Sequence, residues 1–233
     1  GISATWPVER DRLLDAVTTR PLEFGLRQGF SRVGSLTGTL DFDTRSDPLV
    51  PRAGLHAALS AEVGLGAFGS DYQFSKLVFQ GSSYTPNRFG HTFGVHLFGG
   101  ALFGEAPLFD RFFVGDMNLL LPPRALGMNF STQPSPSFLG SAIAQHRYDA
   151  YAARLLFEYA VPLWHRHGII YSGDAFIAAG GFVMGSDGAF REPSRSGLAA
   201  LPIDLTGDLG VRLDTTVGVF TLSIANALGR VPF

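Results

Sequence analysis

The dominant pattern along the chain is an alternation of apolar and polar residues with a period of two. In residues 203–214, the clearest example, five aliphatic residues alternate with three aspartates, a threonine and an arginine. Successive side chains of a β-strand point to opposite faces, so this period indicates strands with one apolar and one polar face. The pattern predicts an all-β protein.

Segments with this pattern, or a weaker form of it, recur along the chain and predict about ten strands. They are residues 1–6, 22–33, 36–45, 55–67, 73–85, 91–103, 151–161, 169–184, 203–214 and 219–228. Many of them are about 10–13 residues long, whereas strands of soluble proteins usually have about 5–6 residues and tilted membrane-spanning strands about 9–11. The lengths therefore favour strands that cross a bilayer. Residues Val8 to Thr19 have weak helical character and no clear place in this scheme.

The connections between the predicted strands alternate between short and long. Most are short, but Gly104–Arg147 and Ser186–Pro202 are long and rich in Gly, Pro and Ser. Short turns at one end and long loops at the other are typical of outer-membrane barrels. A soluble β-sandwich would also show alternation, but it would not explain the strand lengths or this rhythm. We therefore predict one transmembrane antiparallel β-barrel domain over residues 1–233, with a long extracellular loop at about 104–147.

The composition supports a membrane barrel and argues against several other functions. Charged residues make up 16%, against about 25% in a typical soluble domain. The 29 Gly and 21 Phe suit curved strands and aromatic membrane-interface girdles. A net charge of −2 with no basic stripe argues against a nucleic-acid partner. Cysteine is absent, so disulfides and thiolate zinc sites are impossible.

Few side chains form a pattern that indicates catalysis or metal binding. His165 and His167 are two residues apart, but no further ligands are evident, and a place at the membrane interface beside Trp164 explains them better. The chain contains no G-x-S-x-G elbow, phosphate loop or HExxH motif. We therefore expect no catalytic residues, no metal and no cofactor, although a barrel-embedded hydrolase stays open as an alternative.

Three segments, in this order, resemble the barrel of the BamA/TamA family. LDFDTRSDPLVPRAGLHAALSAEVG, residues 40–64, is similar to a strand, turn and returning strand of the family. PLFDRFFVGD, residues 107–116, resembles the start of the family's long sixth extracellular loop, and GVRLDTTVGVFTLSIA, residues 210–225, resembles a late hairpin. The residues that carry the first two matches are Asp43, Arg45, Asp47, Pro51 and Gly54 in the turn, and Phe112, Phe113 and Gly115 in the loop.

The resemblance covers about residues 20–228 and corresponds to about the sixth to fifteenth strands of a sixteen-stranded barrel. The family's POTRA domains have no counterpart in these residues, so a reduced barrel or part of a larger one is expected. In the family, a loop arginine folds into the lumen and pairs with acids on the following strands. The matching residues here are Arg124, Glu158 and Asp174, and strand parity places both acids on the polar face.

Other interpretations of these residues stay open. Arg124 can be an exposed loop residue, and Glu158 can pair with Arg154 or another lumen neighbour. Phe112 and Phe113 can belong to an aromatic girdle.

The resemblance implies a non-enzymatic insertase or translocase of the bacterial outer membrane. Its expected partners are the lipid bilayer, unfolded outer-membrane proteins and other membrane-assembly subunits. A structural or accessory barrel without insertase activity is the first alternative. A small pore or a lipid-hydrolysing barrel is the second.

Overall fold

The computed structural model describes residues 2–5, 8–11, 29–107, 110–113, 148–165, 169–185 and 203–230. These residues form thirteen β-strands and one 3-10 turn, Gly66–Phe68. The strands are β1 (Ile2–Thr5), β2 (Val8–Asp11), β3 (Gly29–Arg32), β4 (Ser35–Asp43), β5 (Gly54–Gly64), β6 (Gln73–Pro86), β7 (Thr92–Glu105), β8 (Phe112–Phe113), β9 (Tyr148–Asp149), β10 (Tyr151–His165), β11 (Ile170–Gly185), β12 (Ile203–Thr215) and β13 (Gly218–Arg230).

Nine of these strands form a single antiparallel sheet in the order β1-β4-β5-β6-β7-β10-β11-β12-β13. Apart from the steps from β1 to β4 and from β7 to β10, neighbouring strands of the sheet are also consecutive along the chain. The remaining strands form two small pairs, β2 with β3 and β8 with β9. The predicted all-β fold and antiparallel barrel wall are confirmed. Within the described residues, β1 and β13 are the two edges of the sheet and do not pair with each other.

One expectation about secondary structure was wrong. Residues Val8–Asp11 are extended and pair with β3, although the sequence had suggested weak helical character from Val8 onward. Pairing with a neighbouring strand outweighs a weak local preference, because alternate residues of the strand gain backbone hydrogen bonds to the partner. Residues 12–19 of that segment, and residues 22–28 of the second predicted strand, lie outside the described residues.

The two faces of the sheet differ in the way that the alternation predicts. Large apolar side chains point outward and stay exposed: Leu40 is 72% exposed, Ile177 57% and Leu222 81%. The polar side chains of the same strands point into the concave side. An apolar outer surface this extensive is unfavourable in water and is suited to lipid. Among the described residues, no helix is long and apolar enough to cross a membrane.

A compact apolar cluster lies on the concave side of the sheet, near one end. It joins the first residues of β6 and β10 to the last residues of β7 and β11. Its members are Val33, Tyr72, Phe74, Leu102, Ala106, Phe112, Phe113, Ala152, Phe182 and Met184. This is the end of the sheet from which the long connections leave. The opposite end carries the short turns 44–53, 87–91 and 216–217.

Candidate functional site in the barrel interior

The inward-facing polar residues of β10, β11 and β12 occupy alternate positions, so they form rows across the sheet. Glu158 lies in a row with Ala178 and Asp208, and Asp174 lies directly opposite Arg212. Small residues flank Glu158 in its row, Gly94 on one side and Ala178 on the other. This leaves room for a long side chain to reach Glu158 from another strand.

Arg212 uses that room and forms a two-pronged ion pair with Glu158. Its Nη1 donates to Oε1 at 3.1 Å and its Nη2 to Oε2 at 3.0 Å. The guanidinium passes over β11, where it lies 4.9 Å from the centre of the Phe176 ring. Both side chains are mostly shielded from solvent, at 20% and 12% exposure. A fork of this geometry is the strongest form of an arginine–carboxylate contact, and it ties β10 to β12 across the strand between them.

Asp174 is bound by a different arginine, which comes from the turn between β4 and β5. The Nη2 of Arg52 donates to both carboxylate oxygens, at 3.0 and 3.3 Å. In the sheet order, β5 and β11 are four positions apart. At a strand spacing of about 4.8 Å, that separation would be about 19 Å along a flat sheet. Direct contact therefore requires a strongly curved sheet, and the turn reaches across its interior at the short-turn end.

The turn that carries Arg52 is held by the residues of the predicted turn motif. Arg45 donates from Nε and Nη2 to the Asp43 carboxylate, at 2.9 and 2.6 Å, and from Nη1 to the Pro48 carbonyl. Gly54 has a φ of +106°, and a Cβ there would overlap the Thr44 carbonyl oxygen. Only glycine adopts such a conformation easily. Asp43, Arg45 and Gly54 thus fix the path of the turn.

Two further motif residues shape the tip of this turn. The Asp47 carboxylate accepts hydrogen bonds from the backbone N–H groups of Leu49 and Val50, at 2.7 and 3.1 Å. These two bonds lower the pKa of Asp47 below its ordinary value. Pro51 follows Val50, which is 8% exposed, and directly precedes Arg52. The motif therefore positions a charged side chain that the sequence analysis did not single out.

The start of the long loop enters the barrel interior. Phe112 is 3% exposed and Phe113 is fully buried, and the two residues pair with Asp149 and Tyr148 as the strands β8 and β9. The Phe112 ring packs edge-on against Phe98 with centroids 6.0 Å apart. A membrane-interface girdle would face outward, so that alternative does not describe these two rings. Gly115, the third residue of the loop motif, lies outside the described residues.

A glycine on the barrel wall makes space for this loop segment. Gly100 of β7 lies against the Phe112 ring, and a Cβ at this position would overlap the ring atoms. On the other side, the Nζ of Lys76 lies 5.2 Å from the ring centre, within range of a cation–π contact. Residues of β6 and β7 therefore contact the start of the loop on the concave side of the sheet.

Arg124 lies outside the described residues, so its contact with Glu158 or Asp174 stays a prediction. The structure gives each acid another arginine partner, Arg212 for Glu158 and Arg52 for Asp174. Strand parity already placed Arg212 on the same polar face as Glu158, which is a signal that could have identified this pair. The sequence contains no comparable signal for Arg52, which is 122 residues from its partner.

No group of three or more metal-ligating side chains gathers among the described residues. His165 is at the end of β10 and exposed, and His167 lies outside the described part of the chain.

The comparison with known protein families finds a match. A sequence model described as the Omp85 superfamily domain matches residues 14–232, which is nearly the entire chain. No curated protein matches the sequence.

Proposed function

This chain belongs to the Omp85 superfamily, and from that premise we propose that it assists the insertion or translocation of outer-membrane proteins in the bacterial outer membrane. The expected partners are the lipid bilayer, unfolded outer-membrane proteins and other assembly subunits. The proposed mechanism needs no chemical step, so we assign no catalytic residue and no cofactor. The observation that best supports it is the character of the sheet edge at β13.

β13 is a long edge strand, and from Gly218 to Ala227, before the register shift opposite Leu205 and Thr206, it lacks the devices that usually block strand addition. It pairs with β12 from Thr215 opposite Gly218 to Asp204 opposite Arg230, and within the described residues no strand lies on its other side. Residues 219–228, VFTLSIANAL, contain no charge and no proline. Soluble proteins protect exposed edges with charges, prolines or bulges, because a free row of N–H and C=O groups pairs with other strands. This edge is suited to template an incoming strand.

Within the described part of the chain, the opposite edge is only partly covered. β1 pairs with β4 from Thr5 opposite Ser35 to Ile2 opposite Gly38. Residues 39–43 of β4 extend beyond that pairing. The two edges thus differ, and β13 offers the longer continuous ladder for a client strand.

A structural or accessory role is the second candidate, and the interior contacts favour it. The Arg212–Glu158 and Arg52–Asp174 pairs cross-link distant strands, and Phe112 and Phe113 fill one end of the interior. Contacts of this kind make the barrel wall rigid, which suits a structural role better than a role that requires the wall to open.

The test is to reconstitute the full chain into vesicles of phosphatidylethanolamine and phosphatidylglycerol. A urea-unfolded outer-membrane barrel is then added as the client, and its folding is followed by the gel shift of unboiled samples. We expect the vesicles with protein to fold the client faster than empty vesicles. Equal rates would overturn the insertase proposal and leave the accessory role.

Paired proline variants test whether β13 is the template. Backbone N–H groups of a strand alternate in direction, so one of Leu222→Pro and Ser223→Pro removes an open-edge donor, and the other removes a donor to β12. The proline variant that removes the open-edge donor should keep the barrel folded but slow the folding of the client. Leu222→Ala, which keeps its N–H, is the matched control. A folded open-edge variant with full activity would exclude this edge as the template.

A further inference from the structure

The barrel interior contains a cavity of about 420 Å³ that is separate from the two ion pairs described above. It lies between β5, β6, β7 and β10, next to the buried loop start. Among the described residues, the polar side chains that line it can all donate hydrogen bonds and none is a carboxylate. They are His56, Lys76, Gln80, Ser82, His96 and Arg154. Phe98 and Phe112 form an aromatic part of the wall.

Arg154 is the central charge of this cavity. Its cross-strand neighbours are both phenylalanines, Phe98 on β7 and Phe182 on β11. Its Nε is buried and has no hydrogen-bond partner within the described part of the chain. Burying a guanidinium N–H without a hydrogen-bond partner is costly, since the described residues do not replace the hydration that this group loses. An anion in the cavity would offset this cost.

His96 provides a second buried nitrogen that lacks a hydrogen-bond partner among the described residues. This atom is its Nε2, and Tyr84 holds the His96 ring edge-on with centroids 5.5 Å apart. The nearby acid on β10 is Glu158, whose two oxygens are both bound by Arg212. Arg212 therefore offsets much of the negative charge that this carboxylate would present to the cavity.

The other cationic side chains have partners and make smaller contributions. His56 contacts the Asp41 carboxylate at 3.0 Å. Lys76 lies over the Phe112 ring and is opposite Glu62 in the β5–β6 register. The charge of the cavity thus depends mainly on Arg154, with His96 beside it.

We propose that this cavity is a binding site for a phosphate group. A guanidinium fork matches the oxygens of a phosphate, and Lys76, Gln80, Ser82 and His96 supply further donors around it. The cavity exceeds the volume of a single phosphate, and its aromatic wall suits the organic part of a phosphate ester. The ligand is either free phosphate or a phosphorylated headgroup. This inference does not depend on the insertase activity.

The test is titration calorimetry of the full chain in dodecyl maltoside micelles. Sodium phosphate is titrated against a sodium chloride reference of equal ionic strength. We expect saturable binding at one site. Arg154→Gln should weaken it by about tenfold or more, the loss that removal of a charge-assisted hydrogen bond produces. Arg88→Gln is the control, because it removes the same charge at a position outside the cavity. Arg88 lies in the 87–91 turn, against the Phe89 ring. No saturable heat, or equal weakening by both variants, would overturn the proposal.

Two further arms separate the sources and guard against a folding defect. Titration with glycerol 3-phosphate identifies a headgroup site if this ester binds more tightly than inorganic phosphate, and a site for free phosphate if it does not. If Arg154→Gln does not fold, Arg154→Lys and His96→Gln replace it, and each should weaken phosphate binding.

A neighbouring acid provides a further test. Asp204 on β12 is opposite Phe182 on β11 by register, and Phe182 is in turn opposite Arg154 on β10. If Asp204→Asn is needed before any phosphate binds, the wall itself neutralises Arg154 and the proposal is wrong.

Discussion

Arg212 on β12 reaches over β11 to form two hydrogen bonds with Glu158 on β10, although Asp174 is its direct cross-strand neighbour. Asp174 is instead bound by Arg52 from a distant turn. These four interior charges are therefore paired between strands or turns that are not neighbours in the sheet. Among the described residues, each of these two acids is bound by one arginine, and each pair links a different part of the sheet.

The first prediction concerns the strength of the Arg212–Glu158 pair. Breaking a fully buried pair costs about 3–5 kcal/mol, and an exposed pair contributes about 0–1 kcal/mol. Because both side chains keep some exposure, we expect a coupling energy of about 2 kcal/mol. The measurement is a double-mutant cycle of Arg212→Met and Glu158→Gln, followed as urea unfolding in detergent. Purely additive losses would show that the two groups do not stabilise each other.

The second prediction concerns the turn that Arg52 holds across the interior. Arg52→Ala should release the turn from β11 and raise ion conductance in planar bilayers. Asp174→Asn should have the same effect, because it weakens the contact from the other side without leaving a buried charge unpaired. Arg88→Ala removes the same charge from a different short turn and should not alter conductance. If Arg52→Ala and Arg88→Ala change the conductance equally, the Arg52–Asp174 pair does not restrict ion passage through the barrel interior.

The third prediction concerns the backbone of the same turn. Gly54→Ala should destabilise the barrel by about 1–3 kcal/mol, since alanine tolerates a positive φ poorly and its Cβ would meet the Thr44 carbonyl. Gly38→Ala is the control, because Gly38 lies on β4 with open space around its Cβ position. Melting of both variants is followed by far-UV circular dichroism. Equal melting temperatures for the two would contradict the role assigned to Gly54.

The fourth prediction concerns the seat of the loop start. Gly100→Ala should displace the Phe112 ring and cost about 1–3 kcal/mol, as overpacking of a filled interior does. Phe112→Leu, which shortens the side chain, should recover part of the loss when the two changes are combined. The readout is the unfolding free energy of the two single variants and the double variant. A double variant no better than the sum of its parts would show that this glycine and this ring are not packed together.

Several features of the protein follow from the sequence alone. The strands, their approximate bounds and the assignment of the two faces were predicted from the period of two, because side-chain direction in a strand is a local property. The same parity placed Glu158, Asp174 and Arg212 on the polar face. The turn and loop motifs identified the family, which the match over residues 14–232 confirms.

The pairing of the interior charges was decided only by the tertiary structure. Parity states which face a side chain points to, but not which strand it can reach. That depends on sheet curvature and on the register between strands far apart in the chain. Arg52 therefore meets Asp174 across the interior, and Arg212 passes its direct neighbour to reach Glu158. The burial of Phe112 and Phe113 likewise depends on the space that Gly100 leaves on β7.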